Sequence, residues 1–141
     1  MKSLKSFILI SSLLLAVGTL RAEVNIIPKP SQVEELSGRF LLKDGISIGV
    51  NSESLAPAAT YLQEILAQST GYRVKTGGKA GKIQLCLDAP DETDESYTLV
   101  AGKKGVTVTA HSYRGIINGI ATLRQLLPAQ IESSTRVEGI E

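Results

Sequence analysis

Along the chain, stretches of alternating apolar and polar residues are interleaved with two stretches where apolar residues recur every three or four positions. Ile46, Ile48 and Val50 alternate with small residues after the turn signal Asp44-Gly45, the pattern of a half-buried strand. Leu55, Ala58 or Ala59, Leu62, Ile65 and Leu66 then fall on one stripe, which predicts a helix starting near Leu55. Ser52 or Ser54 would cap it, Pro57 is tolerated in its first turn, and Gly71 ends it as a left-handed cap residue. The glycine-rich stretch Thr76-Gly77-Gly78-Lys79-Ala80-Gly81 reads as a flexible connection. Ile83, Leu85 and Leu87 alternate again. Tyr97 to Ala101 and Val106 to Ala110 form two more strands, joined at Gly102-Lys103-Lys104-Gly105 by a tight hairpin. A second helix runs from about Ser112 to Leu127, with Ile116, Ile120, Leu123 and Leu127 on its apolar stripe and Pro128 as its stop.

Upstream of these elements, Ile26-Ile27-Pro28-Lys29-Pro30 is a lead-in or an edge strand, because neither proline can donate to a ladder. Gln32 to Leu36 and Gly38 to Leu42 suggest two short extended pieces. The order strands, helix, strands, helix predicts an α+β fold: a mixed, largely antiparallel β-sheet with two α-helices packed on one face. No internal repeat and no second domain boundary appear within residues 23–128, and residues 129–141 read as a loose polar tail or linker.

The first 22 residues have a different character. Lys2 and Lys5 precede an apolar run from Phe7 to Val17, and Ala22 is a small residue suited to cleavage, the layout of an export signal. The run is short for a membrane span, which takes about 20 apolar residues. The layout reads as an export signal, with an uncleaved anchor or a buried N-terminal helix as the alternative. Cleavage would remove Lys2, Lys5 and Arg21 while every acid stays, turning a formal charge of +1 into −2. The expected location is therefore outside the cytoplasm, in a bacterial periplasm or beyond the cell. With 141 residues in all, the chain holds one domain and falls short of the roughly 250 residues of a (β/α)₈ barrel.

Composition narrows the partners. Charges are near balance, aromatic residues are 4% and Trp is absent, which gives no reason to expect nucleic acid and few platforms for stacking sugars. One Cys supports neither an internal disulfide nor a multi-Cys zinc site, and no cofactor or metal is expected.

Five features invite a chemical role, each beside a plainer one. Gly77-Gly78-Lys79-Ala80-Gly81-Lys82 resembles a phosphate loop, but Thr76 stands at the first Gly position, Ile83 follows the Lys, and a strand comes next where a helix should. Asp88, Asp91, Glu92, Asp94 and Glu95 lack the register of a calcium loop, and neighbouring acids do not face each other as glycosidase carboxylates must. A solvated acidic loop is the simpler account. His111, the one histidine, sits between a strand and a helix and reads as a surface or helix-entry residue, and Cys86, the one cysteine, lies on one face of a strand and reads as a small buried or half-buried side chain; neither has partners in the sequence that would make it a ligand or nucleophile. Gly115-x-x-x-Gly119 on the second helix opens a groove for close approach, either by the sheet or by a further domain. None of these residues assembles into a catalytic site, and none is assigned to catalysis, to a cofactor or to a metal.

Three stretches, taken in order, resemble one family. Ile26-Ile27-Pro28-Lys29-Pro30 with Gly38-Arg39-Phe40-Leu41-Leu42 is similar to the opening of the N-terminal domain of family 20 glycoside hydrolases, the β-N-acetylhexosaminidases. Glu95-Ser96-Tyr97-Thr98-Leu99 and Gly105-Val106-Thr107-Val108-Thr109-Ala110 resemble its late hairpin. The run from Gly115 through Thr122-Leu123-Arg124-Gln125-Leu126-Leu127-Pro128 resembles its final helix.

The resemblance implies an α+β domain followed by a catalytic (β/α)₈ barrel that removes terminal N-acetylhexosamine from glycans. There the substrate's acetamide attacks the anomeric carbon, helped by an Asp-Glu pair in a His-x-Gly-Gly-Asp-Glu strand end. Asp91-Glu92 and Asp94-Glu95 repeat the dipeptide without that context, so the role is not carried onto them. The expectation is an accessory domain of an exported β-N-acetylhexosaminidase, inactive alone and meeting its barrel through the second helix; glycan would be met only through that barrel. The alternatives are a free-standing exported module that binds glycan or protein, and an enzyme in its own right.

Overall fold

The structure is a computed structural model that describes residues 25–35 and 38–132. Five strands, β1 (Ser47–Val50), β2 (Lys75–Gly78), β3 (Ile83–Leu87), β4 (Tyr97–Gly102) and β5 (Gly105–Ala110), form one sheet in the order β2-β1-β3-β5-β4. Two helices, α1 (Ala56–Thr70) and α2 (Tyr113–Leu126), cover one face. The export-signal region lies outside the described residues. Among those residues, no helix is long and apolar enough to cross a membrane.

The α+β class, the mixed sheet and the two helices are as the sequence predicts. The expectation of a largely antiparallel sheet is corrected. Only the β4–β5 hairpin is antiparallel, whereas β1–β2, β1–β3 and β3–β5 all pair in parallel. The cause is connectivity. The chain leaves β1, crosses the sheet face as α1 and re-enters as β2, a crossover that returns the strand in its original direction. The hairpin then inserts β5 between β3 and β4, so β5 runs with β3 and only β4 is reversed.

A second correction concerns the glycine-rich connection. Its first half is strand β2, whose four residues are all exposed. Backbone pairing to β1, irregular between Ser47 and Gly49, creates this edge strand without an apolar side chain to announce it. The extended pieces expected within residues 32–42 pair with no strand among the described residues. Instead, the chain from Phe40 to Ile46 closes the end of the sheet where β1 and β3 begin, with Leu42 and Ile46 buried and Phe40 packed against the core.

The core follows from strand alternation. Ile48, Ile83, Leu85, Val106 and Val108 are neighbours on one sheet face and all buried. Leu62 and Leu66 of α1 and Ile116, Ile120 and Leu123 of α2 complete that layer. The opposite face carries small and polar residues, including Gln84, Cys86, Thr98, Thr107 and Thr109.

The helix ends are explained locally. Gly71 adopts φ 68° and its N–H bonds the Ala67 carbonyl, the left-handed cap that the sequence signals. Ser52 precedes a single 3-10 turn, Glu53–Leu55, and its hydroxyl bonds the Ser54 hydroxyl rather than the helix backbone. For α2, the buried Ser112 accepts the Gly115 N–H at 3.1 Å and donates to the Asp94 carbonyl at 2.6 Å, so the cap also ties down the loop before β4. The start of the expected loose tail is ordered: Ala129–Glu132 forms a 3-10 turn with Ile131 buried. Residues 133–141 lie outside the described residues.

The two helix glycines serve sheet packing. A Cβ on Gly115 would lie 2.6 Å from the Ser96 carbonyl oxygen, and one on Gly119 would lie 2.3 Å from Cγ1 of Val108. Of the two readings open for Gly115-x-x-x-Gly119, the structure realises close contact with the chain's own strands.

Candidate functional site

Three surfaces carry candidate residues, and two of them lie at opposite ends of the sheet. At the end where β1, β3 and β5 finish, the acidic loop Asp88 to Glu95 folds on itself. Asp91 accepts from the Thr93 N–H at 2.9 Å and its hydroxyl at 2.7 Å, and Asp94 accepts from the Ser96 N–H at 2.8 Å. Those hydrogen bonds, Thr93's on Asp91 and Ser96's on Asp94, hold both carboxyls below the usual carboxylate range. Glu95 pairs with Arg114 at 3.0 Å on the surface. Asp91 and Asp94 are thus turn-forming groups whose ionised forms are favoured, which unsuits them to act as a general acid near neutrality.

His111 completes that end. Its Nδ1 lies 2.6 Å from the Asp88 carbonyl oxygen and 3.2 Å from that of Ala89. The Asp88 carbonyl above all, with smaller help from Ala89, Asp94 and Asp88 charge, raises its pKa against the opposing effect of desolvation. The imidazole thus bridges the strand end to the loop, the helix-start role that its position suggests. Among the described residues no group of three or more His, Cys, Asp or Glu is placed to hold a metal ion.

Cys86 sits half-buried on the polar sheet face. Burial pushes its thiol pKa up, although a hydrogen bond with Gln84 partly opposes this, so it is a packed side chain and a poor nucleophile. The stretch resembling a phosphate loop is likewise structural. The Gly81 N–H donates to Oε1 of Gln84 at 3.1 Å, and Gln84 Nε2 donates to the Lys79 carbonyl at 3.0 Å. A Cβ on Gly81 would fall 2.4 Å from the backbone nitrogen of Gly49, which explains the glycine without a phosphate.

The other end of the sheet is basic. A groove of about 770 Å³ is lined by Arg39, Lys43, Lys82 and Lys103, with Phe40 and Leu41 contributing apolar surface. Asp44 also lines it, but its carboxylate is engaged by the Arg73 side chain, at 2.6 Å from Nη2, and by the Arg73 N–H at 2.7 Å. Those hydrogen bonds hold the Asp44 carboxyl at about 2. A depressed carboxyl stabilises the fold above its unfolded pKa and loses that contribution as pH falls through the folded value. The expected result is an NMR titration midpoint for Asp44 near 2 that rises part of the way toward the ordinary carboxylate value in Arg73→Gln, because the backbone N–H of residue 73 still donates to it; an unshifted midpoint in the parent chain contradicts the pairing.

The third surface is the outward side of the helix layer. Gln125 of α2 accepts the Ile27 N–H at 2.9 Å and donates to the Ile27 carbonyl at 2.9 Å. This clamp holds Ile27 in place while its side chain stays 82% exposed, near the end of the helix that carries the 43%-exposed Leu126. Beside it, Arg124 joins α1 to the 3-10 turn Ala129–Glu132: it donates to the Tyr61 hydroxyl at 2.8 Å and, through Nε, to Glu132 at 3.0 Å. Sequence reasoning assigned the helix but missed the clamp, because nothing in the spacing links positions 27 and 125.

Comparison with known proteins adds the following. The family model "Glycosyl hydrolase family 20, domain 2" matches residues 23–141. A β-hexosaminidase of Porphyromonas gingivalis is 35% identical over 119 residues, which cover 81% of this chain and 15% of that protein. A β-hexosaminidase of Vibrio furnissii is 30% identical over 106 residues, 75% of this chain and 17% of that protein. Among solved structures, the Streptomyces plicatus N-acetyl-β-hexosaminidase superposes with a TM-score of 0.75 at 34% identity, covering 82% of this chain and 23% of that one. The chain thus spans less than a fifth of the length of these two curated relatives.

Proposed function

From the premise that the chain belongs to the domain 2 family of family 20 glycosyl hydrolases, we propose that it is the accessory domain of an exported β-N-acetylhexosaminidase. The observation that carries this reading is the family match over residues 23–141, together with the small share of each relative that the chain spans. In this reading the chemistry, removal of terminal N-acetylhexosamine from glycans, belongs to a catalytic barrel outside these residues. Export rests on the sequence of residues 1–22.

The barrel docks on the outward side of α2 near its C-terminal end. The support is the pair Ile27 and Leu126, apolar and exposed where the chain runs on toward residue 141. The Ile27 backbone is fixed by Gln125, so little backbone ordering cost remains when a partner covers the residue. In a protein continued through its barrel, Ile27→Asp with Leu126→Asp is expected to destabilise the domain–barrel contact by about 2–4 kcal/mol, from the lost burial of two apolar side chains. Differential scanning calorimetry checks this: the barrel-linked protein should lose thermal stability while the chain alone keeps its midpoint. Equal effects in both, or none in either, would move the docking surface elsewhere.

A further inference from the structure

The chain is close to electroneutral, with 15 basic and 14 acidic side chains, yet the fold sorts these charges by end. The loop at the C-terminal ends of β3 and β5 gathers Asp88, Asp91, Glu92, Asp94 and Glu95. The groove at their N-terminal ends gathers Arg39, Lys43, Lys82 and Lys103. Asp44, the acid in the groove lining, is already engaged by Arg73, which lies outside that lining. The groove therefore presents an uncompensated positive field over a concave surface, where focusing strengthens attraction for an anion.

Two of the cations are held in place. The Lys103 stem lies against the Gly38 backbone, so that a Cβ on Gly38 would come within 3.0 Å of Lys103 Cγ. The Lys82 ammonium donates to the Lys104 carbonyl at 3.3 Å, leaving its other two hydrogens for a ligand. Between the charges, the partly buried Phe40 and the 55%-exposed Leu41 provide apolar surface.

We propose that this groove binds an acidic polysaccharide bearing sulfate or carboxylate groups, with the cations on the acid groups and the Phe40–Leu41 surface under the C–H face of a sugar ring. The choice of a glycan over other polyanions rests on the reading of the chain as part of a glycan-processing enzyme. In that setting the groove retains the polymer near the barrel, so that successive terminal residues are cut without loss of the chain.

The test uses the full 141-residue chain and heparin as the probe, with isothermal titration or affinity electrophoresis as the readout. Expected is binding that weakens at least about tenfold between 50 and 200 mM salt, as counterion release requires. Lys43→Gln/Lys82→Gln/Lys103→Gln is expected to lose about tenfold or more of the affinity at an unchanged thermal midpoint. Arg114→Gln, at the acidic end, is expected to bind as the parent does. Absent binding, or binding unaffected by the triple substitution, overturns the proposal. Tighter binding to phosphatidylglycerol vesicles than to heparin overturns the glycan assignment. Hexosaminidase activity of the barrel-linked protein on a small aryl glycoside is read separately, so failure of the groove and failure of the family function give different results.

Discussion

Gly119→Val is expected to leave the chain largely unable to hold its native packing. The site has no slack: even one added carbon at Gly119 meets Cγ1 of Val108 at 2.3 Å and the Tyr97 ring at 3.2 Å. Val108 is fully buried on the central sheet face, and the Tyr97 hydroxyl bonds Thr122 one turn further along α2. Neither neighbour can yield without moving the helix off the sheet.

Overpacking of a core usually costs about 1–3 kcal/mol, and a branched side chain adds a second and third carbon to the same clash. Gly119→Ala gains up to about 1 kcal/mol of helix propensity in partial compensation, so it should be visibly milder. Thermal unfolding followed by circular dichroism checks the pair. A Val variant melting within a few degrees of the parent would show that α2 does not sit this close to β5.

The second large effect is on activity. The chain alone is expected to give no turnover of an aryl N-acetyl-β-glucosaminide, whereas the protein continued through a barrel should be active. The physical ground is the state of the chain's own carboxylates. Asp91 and Asp94 are bound into turns, with their ionised forms favoured, and Glu95 faces Arg114. A glycosidase acid must carry a proton near neutrality and face its partner across the sugar. Turnover by the chain alone that disappears in Asp94→Asn or Glu95→Gln would overturn this account of the loop.

Much of the fold was legible because side-chain period reports on elements directly. Val106 and Val108 alternate with Thr107 and Thr109, Gly105 takes φ 151° at the turn, and Ser112 and Pro128 bracket α2. Strand direction was not legible, because alternation marks which face a residue occupies and is the same read forwards or backwards. The clue was the connection: the roughly two dozen residues between Val50 and Lys75 carry a helix, which is the length and content of a parallel crossover.

Strand β2 was hidden for another reason. Lys75-Thr76-Gly77-Gly78 buries no side chain, so only its backbone pairing defines it. The basic groove was equally invisible, since positions 39, 43, 82 and 103 come together only when the segment before β1 closes the end of the sheet. The carboxylates, His111 and Cys86 were correctly placed on loop, helix start and half-buried strand, because each is explained by its immediate neighbours.

We propose that this domain is one part of a larger hexosaminidase, and the coding DNA immediately downstream of codon 141 at the source locus tests this most directly. The account predicts that this DNA encodes, in frame or after a frameshift, a barrel-length segment carrying His-x-Gly-Gly-Asp-Glu. A stop codon followed by unrelated sequence would contradict it and favour a free-standing binding module.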